Sequence, residues 1–419
     1  PGPGTADVFG CMDSLALNYD PLATIDNGGC NYTPINCLPC TMPNIAPWNG
    51  VTRITTSIPD ANFENYLEAN GMGNGVGSDN LVCTTNIYQQ TILNPPSPNW
   101  GNPWPSYLSS LSPLNISDFT GLEDFAALEK LCIDGNVTET LDLSGNPELT
   151  YLCAQGCDIK SLDLSSNTKL ESLWLTANNF SSGQPSVTNN INLRQLCLIS
   201  SRLTSVNIPA LSNLETLWIG NMRDSATNPI PSFYNNDFGS SGVSLPTLPS
   251  LTSLGIQRAN LNSISLGSNV PSLKALALHQ NNLTTIDVTL LVELIHLTLS
   301  ENPLLTNITG LDNCTLLTNL RIQGCQIAGT FDVSSNVDLQ KIDISNNKIS
   351  VLNLGSNIDL TRFINPTTGV SDTNYFNTKN QQIGASFLQI KVGTSTRVSW
   401  CNTGNKFANC INSGTTFII

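Results

Sequence analysis

The stretches that decide the fold are LEKLCIDGN at 128–136, LESLWLTAN at 170–178, LKALALHQN at 273–281 and LIHLTLSEN at 294–302. Each has leucine at its first and fourth places, leucine or isoleucine at its sixth and asparagine at its ninth. Units with a related pattern begin at Leu128, Leu149, Leu170, Leu193, Leu214, Leu251, Leu273, Leu294, Leu317, Leu339 and Leu360. The steps between them are 21, 21, 23, 21, 37, 22, 21, 23, 22 and 21 residues, a period typical of stacked repeats.

A unit this short cannot bury its own leucines, so the units must stack and share one core. Each unit also carries a second short extended segment, such as LDLS at 141–144 or IDIS at 342–345, and no helical period is visible. The spacing predicts a mostly β leucine-rich-repeat solenoid with few helices. About eleven repeats of 21–23 residues form a curved horseshoe, with a parallel sheet on the concave face and a cap at each end.

The ninth place of the unit predicts a ladder of buried polar groups. A side chain that turns inward here can satisfy backbone groups of the turns in neighbouring units. Asparagine is the usual residue, and a buried thiol is the expected substitute. The predicted ladder residues are Asn136, Asn178, Asn281, Asn302 and Asn347, with Cys157 and Cys325 as the substitutes.

The repeats divide the chain into four parts. Residues 1–50 are a small module rich in Cys and Asx with a linker, and 51–127 are the N-terminal cap with a first atypical repeat. The solenoid occupies 128–365, and 366–419 form the C-terminal cap. The 37-residue step predicts an insertion at 223–249, and loops inserted into a regular solenoid often carry its specific function.

Composition narrows the function. The net charge of −14 disfavours nucleic acid and anionic membranes as partners. Thirteen cysteines and only two histidines indicate disulfides in an oxidising compartment, so the predicted location is extracellular or at the cell surface. No apolar run is long enough to span a membrane. The first residues lack a charged-then-apolar signal, which suggests a processed secreted form.

Three motifs in order carry a resemblance to a family. IPDANFENYLEANGMG at 58–73 and ISDFTGLEDFAALEKL at 116–131, followed by LDLSGNPELTYL at 141–152, resemble secreted leucine-rich-repeat proteins of Bacteroidota, flavobacterial type. The resemblance implies that the first motif belongs to the N-terminal cap of the solenoid. It also implies a C-terminal sorting domain for type IX secretion, whereas the last residues of this chain read as a capping segment.

The segment GCMDSLALNYDPLATIDNGGCNY at 10–32 resembles a short module of marine bacterial and viral surface proteins. A disulfide between Cys11 and Cys30 would close a loop that stabilises so small a unit by on the order of 3 kcal/mol. Calcium is a candidate ligand, and Asx-rich turns without metal are the alternative. The candidate calcium ligands are Asp13, Asn18, Asp20 and Asp26.

Other cysteines suggest further disulfides. Cys401 and Cys410 are expected to staple the C-terminal cap, and three cysteines near the N-terminal cap to pair among themselves or with a neighbour. Cys132 and Cys153 hold the same place in adjacent units, so either a disulfide or two free thiols fits their spacing. The three N-terminal cysteines are Cys37, Cys40 and Cys83.

Seven Asn-x-Ser/Thr sequons would make the chain a glycoprotein if its source were eukaryotic. They begin at Asn31, Asn115, Asn136, Asn179, Asn282, Asn307 and Asn313. The alternative is chance in an Asn- and Thr-rich repeat, and Asn136 falls on the buried ladder, where a glycan would not fit.

The fifth place of each unit should point outward from the middle of its strand. The predicted row is Cys132, Cys153, Trp174, Cys197, Trp218, Gly255, Ala277, Thr298, Arg321 and Asp343. Aromatic rings with a cation and amide donors around them suit sugar rings or peptide side chains. The predicted ligand-binding residues of the concave face are Tyr151, Trp174, Arg194, Trp218, Arg258, His279, His296 and Arg321.

The insertion adds Phe233, Tyr234 and Phe238 as candidate contacts. Two alternatives stay open. The insertion could cover the tryptophans, or its own aromatic residues could pack on the solenoid instead of meeting a ligand.

Catalysis is not expected. The sequence has no nucleophile elbow, phosphate loop, HExxH motif or dinucleotide fingerprint. His279 and His296 are offset by four residues on neighbouring strands, roughly 13 Å, so one metal cannot be held by both. The favoured function is an extracellular adhesion or binding protein that recognises a protein or glycan. The alternative is a structural subunit of a filament, surface layer or virion appendage, with copies of itself as partners.

Overall fold

A computed structural model describes residues 54–93, 114–222, 234–239 and 243–355, together with the backbone of five short strands outside these ranges. Within these residues the chain is a mostly β leucine-rich-repeat solenoid, as the spacing predicts. No helix in the described part is long and apolar enough to cross a membrane.

The elements before the repeats are short. They are β1 (Phe9–Gly10), β2 (Ile25–Asp26), β3 (Thr55–Ser57), α1 (Ala61–Ala69), β4 (Leu81–Cys83), α2 (Thr84–Ile87) and β5 (Ile92–Leu93). β1 pairs with β2 in parallel, and β3 pairs with β4 antiparallel. β5 pairs in parallel with the first repeat strand, so the cap already contributes to the main sheet.

The repeats supply the remaining strands. They are β6 (Lys130–Cys132), β7 (Tyr151–Cys153), β8 (Ser172–Trp174), β9 (Gln195–Cys197), β10 (Thr216–Trp218), β11 (Val243–Ser244), β12 (Ser253–Gly255), β13 (Ile264–Ser265), β14 (Ala275–Ala277), β15 (Thr285–Asp287), β16 (His296–Thr298), β17 (Asn307–Thr309), β18 (Asn319–Arg321), β19 (Ala328–Asp332), β20 (Lys341–Asp343), β21 (Lys348–Asn353), β22 (Phe376–Asn377), β23 (Gln389–Lys391) and β24 (Thr416–Ile418).

One twelve-stranded sheet, hereafter the concave sheet, runs the length of the solenoid. Its order is β5, β6, β7, β8, β9, β10, β12, β14, β16, β18, β20 and β22, and its neighbours are parallel. The opposite side carries smaller parallel sheets, β11 with β13, β15 with β17, and β19 with β21, β23 and β24. The prediction of IDIS at 342–345 as a second segment is wrong, because its first two residues lie on β20 of the concave sheet and the second segment of that unit is β21. Leucines and isoleucines from both sides meet in one continuous core.

The predicted ladder is present at the ninth place. Asn178 Nδ2 donates to the carbonyls of Ala154 and Leu175, 2.7 and 2.9 Å away, and its Oδ1 accepts from the Ile159 amide. The Cys157 thiol likewise donates to the Ile133 carbonyl, 3.2 Å from its Sγ. All seven predicted ladder residues are buried. Each one joins two units by satisfying buried backbone groups, which would destabilise the fold if left unpaired.

A second ladder was missed by the sequence analysis. Its asparagines stand three residues before the opening leucine, and Asn167 Nδ2 donates at 2.9 Å both to Leu143 and to Asn146. Cys314 takes the same place with a thiol. The ladder asparagines are Asn146, Asn167, Asn190 and Asn336. The signal was the recurring pattern N-x-x-L. It was hidden because these stretches also contain turn residues, and the residues around them differ from unit to unit.

The predicted insertion is shorter than 223–249. In unit five the ladder place falls at Met222, but the ladder contacts are made by Asn236, fourteen residues later (236 − 222). Its Nδ2 donates at 2.8 Å to the carbonyls of Leu198 and Ile219, the same places that Asn178 serves in unit three. Residues 236–239 and 243–249 therefore belong to the repeat, and the extra residues lie before Asn236.

The eleventh unit also differs from its prediction. Leu360 lies outside the described residues, and the strand that pairs with β20 is β22, near residue 376. The described solenoid therefore has ten repeat strands that follow the predicted spacing, β6 to β20 in the concave sheet, with β22 beyond them.

The N-terminal cap is tied to the repeats by Asp60. Its Oδ1 caps α1 by accepting from the amides of Asn62 and Phe63, and its Oδ2 accepts from the amide of Ser117, 2.8 Å away. The ring of Phe63 packs against Phe119, with 5.2 Å between centroids. The motif at 58–73 thus closes the open end of the core.

Candidate functional site

The outward side of the concave sheet is ordered in rows, because neighbouring strands pair without shifts. Cys132 pairs with Cys153, and Arg321 with Asp343, as the sequence predicts for the fifth place. The whole predicted fifth-place row is confirmed by these pairings. Third-place and seventh-place side chains form parallel rows on either side.

The N-terminal half of this surface is an apolar patch, separate from the main core. Cys132, Cys153, Trp174, Cys197 and Ile199 are buried in it, and Tyr151, Trp218 and Met222 lie partly buried against it. Aromatic side chains and buried thiols in one row give it both packing area and soft sulfur atoms.

The two predicted tryptophans meet across the intervening strand. The ring centroids of Trp174 and Trp218 are 5.8 Å apart, at an interplanar angle of 74°. Trp174 is only 7% exposed, whereas Trp218 is partly exposed and its Nε1 donates to Ser253 Oγ. An edge-to-face pair of this kind stabilises the patch. Little of the Trp174 ring is left for a ligand.

The thiols of the patch are free. Of the seven described cysteines, Cys83 is disulfide-bonded, and the other six are free and buried. Between the two alternatives for Cys132 and Cys153, the structure has the pair of free thiols. The predicted disulfide cysteines Cys11, Cys30, Cys401 and Cys410 lie outside the described residues.

The C-terminal half of the surface is polar and carries four cations, with Asp343 on β20 and Glu301 beside β16 as acidic neighbours. Lys274 and Arg321 are exposed there, and Arg258 and Lys341 are half-buried. Arg258 Nε donates to Gln280 Oε1, which joins the turns of two units. These four cations stand on or beside β12, β14, β18 and β20, within a protein whose net charge is −14.

The two histidines lie in this half but are not brought together. His296 pairs in register with Ala275, so His279 lies four residues farther along the neighbouring strand, as predicted. Burial lowers the pKa of His279 to about 4, with further lowering by Arg258 and Arg321. Burial and Lys341 also lower the pKa of His296. Both rings are therefore neutral at physiological pH.

Two other predicted contacts have partners. Arg194 Nη2 lies 2.6 Å from Glu215 Oε1 and forms an exposed ion pair. Tyr151 is partly buried, and burial raises the pKa of its hydroxyl, with nearby Cys153, Cys132 and Asp134 adding to the rise. Arg194 is therefore held by Glu215, whereas Tyr151 packs against the apolar patch.

The loop residues separate into two groups. Phe238 is buried in the main core, which corrects its prediction as a ligand contact, and the alternative of packing on the solenoid holds for it. Tyr234 is partly buried, and its hydroxyl donates to Asp158 Oδ1, 3.1 Å away. Burial raises the pKa of Tyr234. Phe233 lies outside the described residues.

The structure does not test the calcium prediction, because the side chains of the four candidate ligands lie outside its description. Asp26 lies on β2, where its backbone pairs with Gly10, and the other candidate ligands, Asp13, Asn18 and Asp20, lie outside the described residues.

The sequence analysis missed Asp134. This carboxylate, at the seventh place of unit one, reaches back over the apolar patch and accepts from the Cys153 thiol. A single aspartate before glycine reads as a turn residue in a sequence. Its proximity to two thiols follows only from the register of β6 and β7.

No model of a known protein family and no curated protein matches the sequence. Solved structures with a similar fold include an internalin (inlF) of Listeria monocytogenes, 18% identical with a TM-score of 0.45, where the match covers 73% of this chain and 92% of that one. A leucine-rich-repeat protein of Leptospira interrogans is 16% identical, with a TM-score of 0.42 and coverage of 74% and 94%. The functional domain of InlJ from L. monocytogenes, which includes a cysteine ladder, is 19% identical, with a TM-score of 0.34 and coverage of 80% and 82%.

Proposed function

We propose that this chain is an extracellular, non-catalytic binding protein whose concave sheet recognises an acidic surface of a protein partner. The observation that carries the proposal is the grouping of Arg258, Lys274, Arg321 and Lys341 on or beside the strands of one half of that sheet. A cationic surface on a protein of net charge −14 attracts an acidic partner to one face and repels it from the rest.

The state of the tryptophans favours a protein partner over a glycan. Stacking on sugar rings needs an open aromatic face, and Trp174 is buried against Trp218. The cationic half offers charged and amide groups instead, such as Arg321 and the neighbouring Gln323. Side chains of this kind suit carboxylates and backbone groups of a polypeptide.

The proposed location rests on two features. Cys83 is disulfide-bonded, which fits an oxidising compartment. The motifs at 58–73, 116–131 and 141–152 resemble secreted flavobacterial proteins in their order. The inserted residues before Asn236 directly follow Met222, a residue of the apolar patch, in the sequence. They are proposed as a second contact region.

Binding of a fluorescent oligoglutamate peptide tests the electrostatic part of the proposal. The double variant Lys274→Glu, Arg321→Glu reverses two charges on the concave sheet. Its matched control, Lys160→Glu, Lys169→Glu, reverses two charges outside that sheet, where each lysine pairs with a glutamate. We expect saturable binding that weakens with salt, a loss of at least about tenfold in the first variant, and little change in the control.

Equal losses in both variants, or no saturable binding by the unchanged chain, would contradict the acidic-partner proposal. A glycan array run in parallel separates the glycan alternative, since selective retention there with no oligoglutamate binding would favour it.

Light scattering after size-exclusion chromatography, with millimolar calcium and then with EDTA, addresses the structural alternative. A binding protein should remain monomeric, whereas defined assembly would favour a filament or surface-layer subunit. Assembly that needs calcium would assign that role to the N-terminal module.

A further inference from the structure

Three potential metal ligands converge at the N-terminal end of the concave sheet. The Sγ atoms of Cys132 and Cys153 and a carboxylate oxygen of Asp134 all lie within 4.8 Å of one another. They come from two adjacent strands, because Cys132 pairs with Cys153 across β6 and β7 and Asp134 follows β6 by two residues. Among the described residues this is the one group of three or more such side chains.

The carboxylate is aimed at the thiols and held there. Asp134 Oδ1 and Oδ2 lie 3.0 and 3.1 Å from Cys153 Sγ. The backbone N–H of Gln155 donates to Oδ1 at 2.7 Å, and the side-chain Nε2 of Gln155 donates to Oδ2 at 3.1 Å. Metal sites use such surrounding hydrogen bonds to orient their ligands. The site is therefore organised before any ion arrives.

The environment favours a cation. Both cysteines are only 4% exposed. Thiolate and carboxylate groups held within 4.8 Å of one another repel once they are ionised, and a divalent cation between them replaces this repulsion with ligation.

We propose that Cys132, Asp134 and Cys153 bind a thiophilic divalent metal ion, of which zinc is the best fit. Zinc accepts thiolate and carboxylate ligands with bonds of about 2.3 and 2.1 Å, which places two tetrahedral sulfurs about 3.8 Å apart. Three protein ligands leave the fourth tetrahedral position to water or to a group of a bound partner.

Binding breaks two S–H bonds and forms two metal–sulfur bonds, and the two protons pass to the buffer. No electron is transferred. The ion would tie unit one to unit two at the edge of the apolar patch. This inference is independent of the proposed acidic partner, which uses the opposite half of the sheet.

Cobalt is the probe for the site, because thiolate ligation gives it a charge-transfer absorption. The full chain is kept anaerobic, so that the free thiols stay reduced and the Cys83 disulfide stays intact, and is freed of metal with a chelator. We expect one equivalent of Co²⁺ with this absorption, displacement by Zn²⁺, and release of about two protons per ion. Zinc should also raise the thermal midpoint.

Variants assign the ligands. Cys132→Ser and Cys153→Ser should each abolish the absorption and the zinc-dependent rise in thermal midpoint, and Asp134→Asn should weaken binding by at least about tenfold. Cys197→Ser is the matched control, a buried thiol of the same row with Thr176 beside it instead of a carboxylate. If a serine variant fails to fold, Asp134→Asn, which keeps both thiols and the side-chain shape, decides the outcome.

Two results would overturn the proposal. One is metal binding that is unchanged in the Cys132, Cys153 and Asp134 variants, which would place the ion elsewhere. The other is a Cys132–Cys153 disulfide found by peptide mapping of protein purified without reductant.

Discussion

The side chain of Asn221 holds the backbone of Asn236 at both of its polar groups. The Asn236 amide donates to Asn221 Oδ1 at 2.7 Å, and Asn221 Nδ2 donates to the Asn236 carbonyl at 2.8 Å. The two residues thereby close the base of the insertion in unit five. Asn236 is free to serve as the ladder residue of that unit although fourteen extra residues precede it.

Asn236→Ala should therefore destabilise the solenoid as a change in a regular ladder position would. The change leaves the carbonyls of Leu198 and Ile219 and the amides of Ser201 and Leu203 without their partner. We expect a loss of at least about 2 kcal/mol in the free energy of unfolding, measured by urea denaturation. The neighbouring Asn235 is exposed, so Asn235→Ala is the control. Equal stability of the two variants would refute the ladder role.

The main-core position of Phe238 gives a second prediction. Its side chain is 1% exposed, and truncation in a packed core creates a cavity. Phe238→Ala should lower the free energy of unfolding by about 3–5 kcal/mol. Tyr234→Phe, which removes the hydrogen bond to Asp158, should lower it by about 1 kcal/mol. Thermal unfolding of both variants checks this order, and a Phe238 variant as stable as the unchanged chain would mean that this segment is not part of the core.

The sequence predicted the repeat because the core that the units share requires leucines at regular intervals. The register of the concave rows followed from the same spacing, so Arg321 and Asp343 stand where they were expected. The predictions that failed concerned features that the spacing of the leucines does not determine. The ladder residue after an insertion has no fixed distance, which hid Asn236, and the exposure of Trp174 depends on its neighbours across the sheet.

The same limit explains why the sequence did not reveal the candidate metal site. Cys132 and Cys153 were recognised as neighbours because they hold the same place in adjacent units. Asp134 was not joined to them, because its side-chain direction depends on the hydrogen bonds from Gln155. Register can be read from a periodic sequence, whereas the direction of one side chain at a turn cannot.

The carboxylate of Asp60 predicts an acid-dependent weakness at the N-terminal cap. Burial acts to raise its pKa, but hydrogen bonds from Ser117, Phe63 and Asn62 outweigh it, and the net pKa is below the ordinary 3.8. A lowered carboxyl pKa stabilises the fold above the unfolded value, and this contribution is lost as the pH falls through the folded value.

Asp60→Ala should thus destabilise the cap by about 1–2 kcal/mol near neutral pH, and the difference from the unchanged chain should shrink below about pH 4. Urea titrations at both pH values measure it. Asp118→Ala is the control, since Asp118 is exposed and its side chain accepts only from nearby Thr120. A difference that is independent of pH would contradict the role of the ionised carboxylate.

The last prediction concerns His279, whose pKa is lowered to about 4 by burial and then by Arg258 and Arg321. Because the chain has only two histidines, NMR titration of the imidazole protons should show two resolved curves. One should have its midpoint near 4, and the other, from His296, below 6.5. His296→Gln identifies the signals by removing one of them.

Neighbouring charges should affect the pKa of His279, and that pKa should in turn affect the pH dependence of stability. Arg321→Gln removes one of the two nearby cations and should raise the midpoint of His279, whereas Lys348→Gln, a lysine on β21 outside the concave sheet, should leave it unchanged. Between pH 6.5 and about 4 the unfolded chain binds a proton that folded His279 does not, so stability must fall as the pH drops through this range. His279→Asn should flatten that part of the profile by up to about 1.4 kcal/mol per pH unit. A His279 midpoint near 6.5 in the unchanged chain would show that the ring is solvated and that the two arginines do not face it.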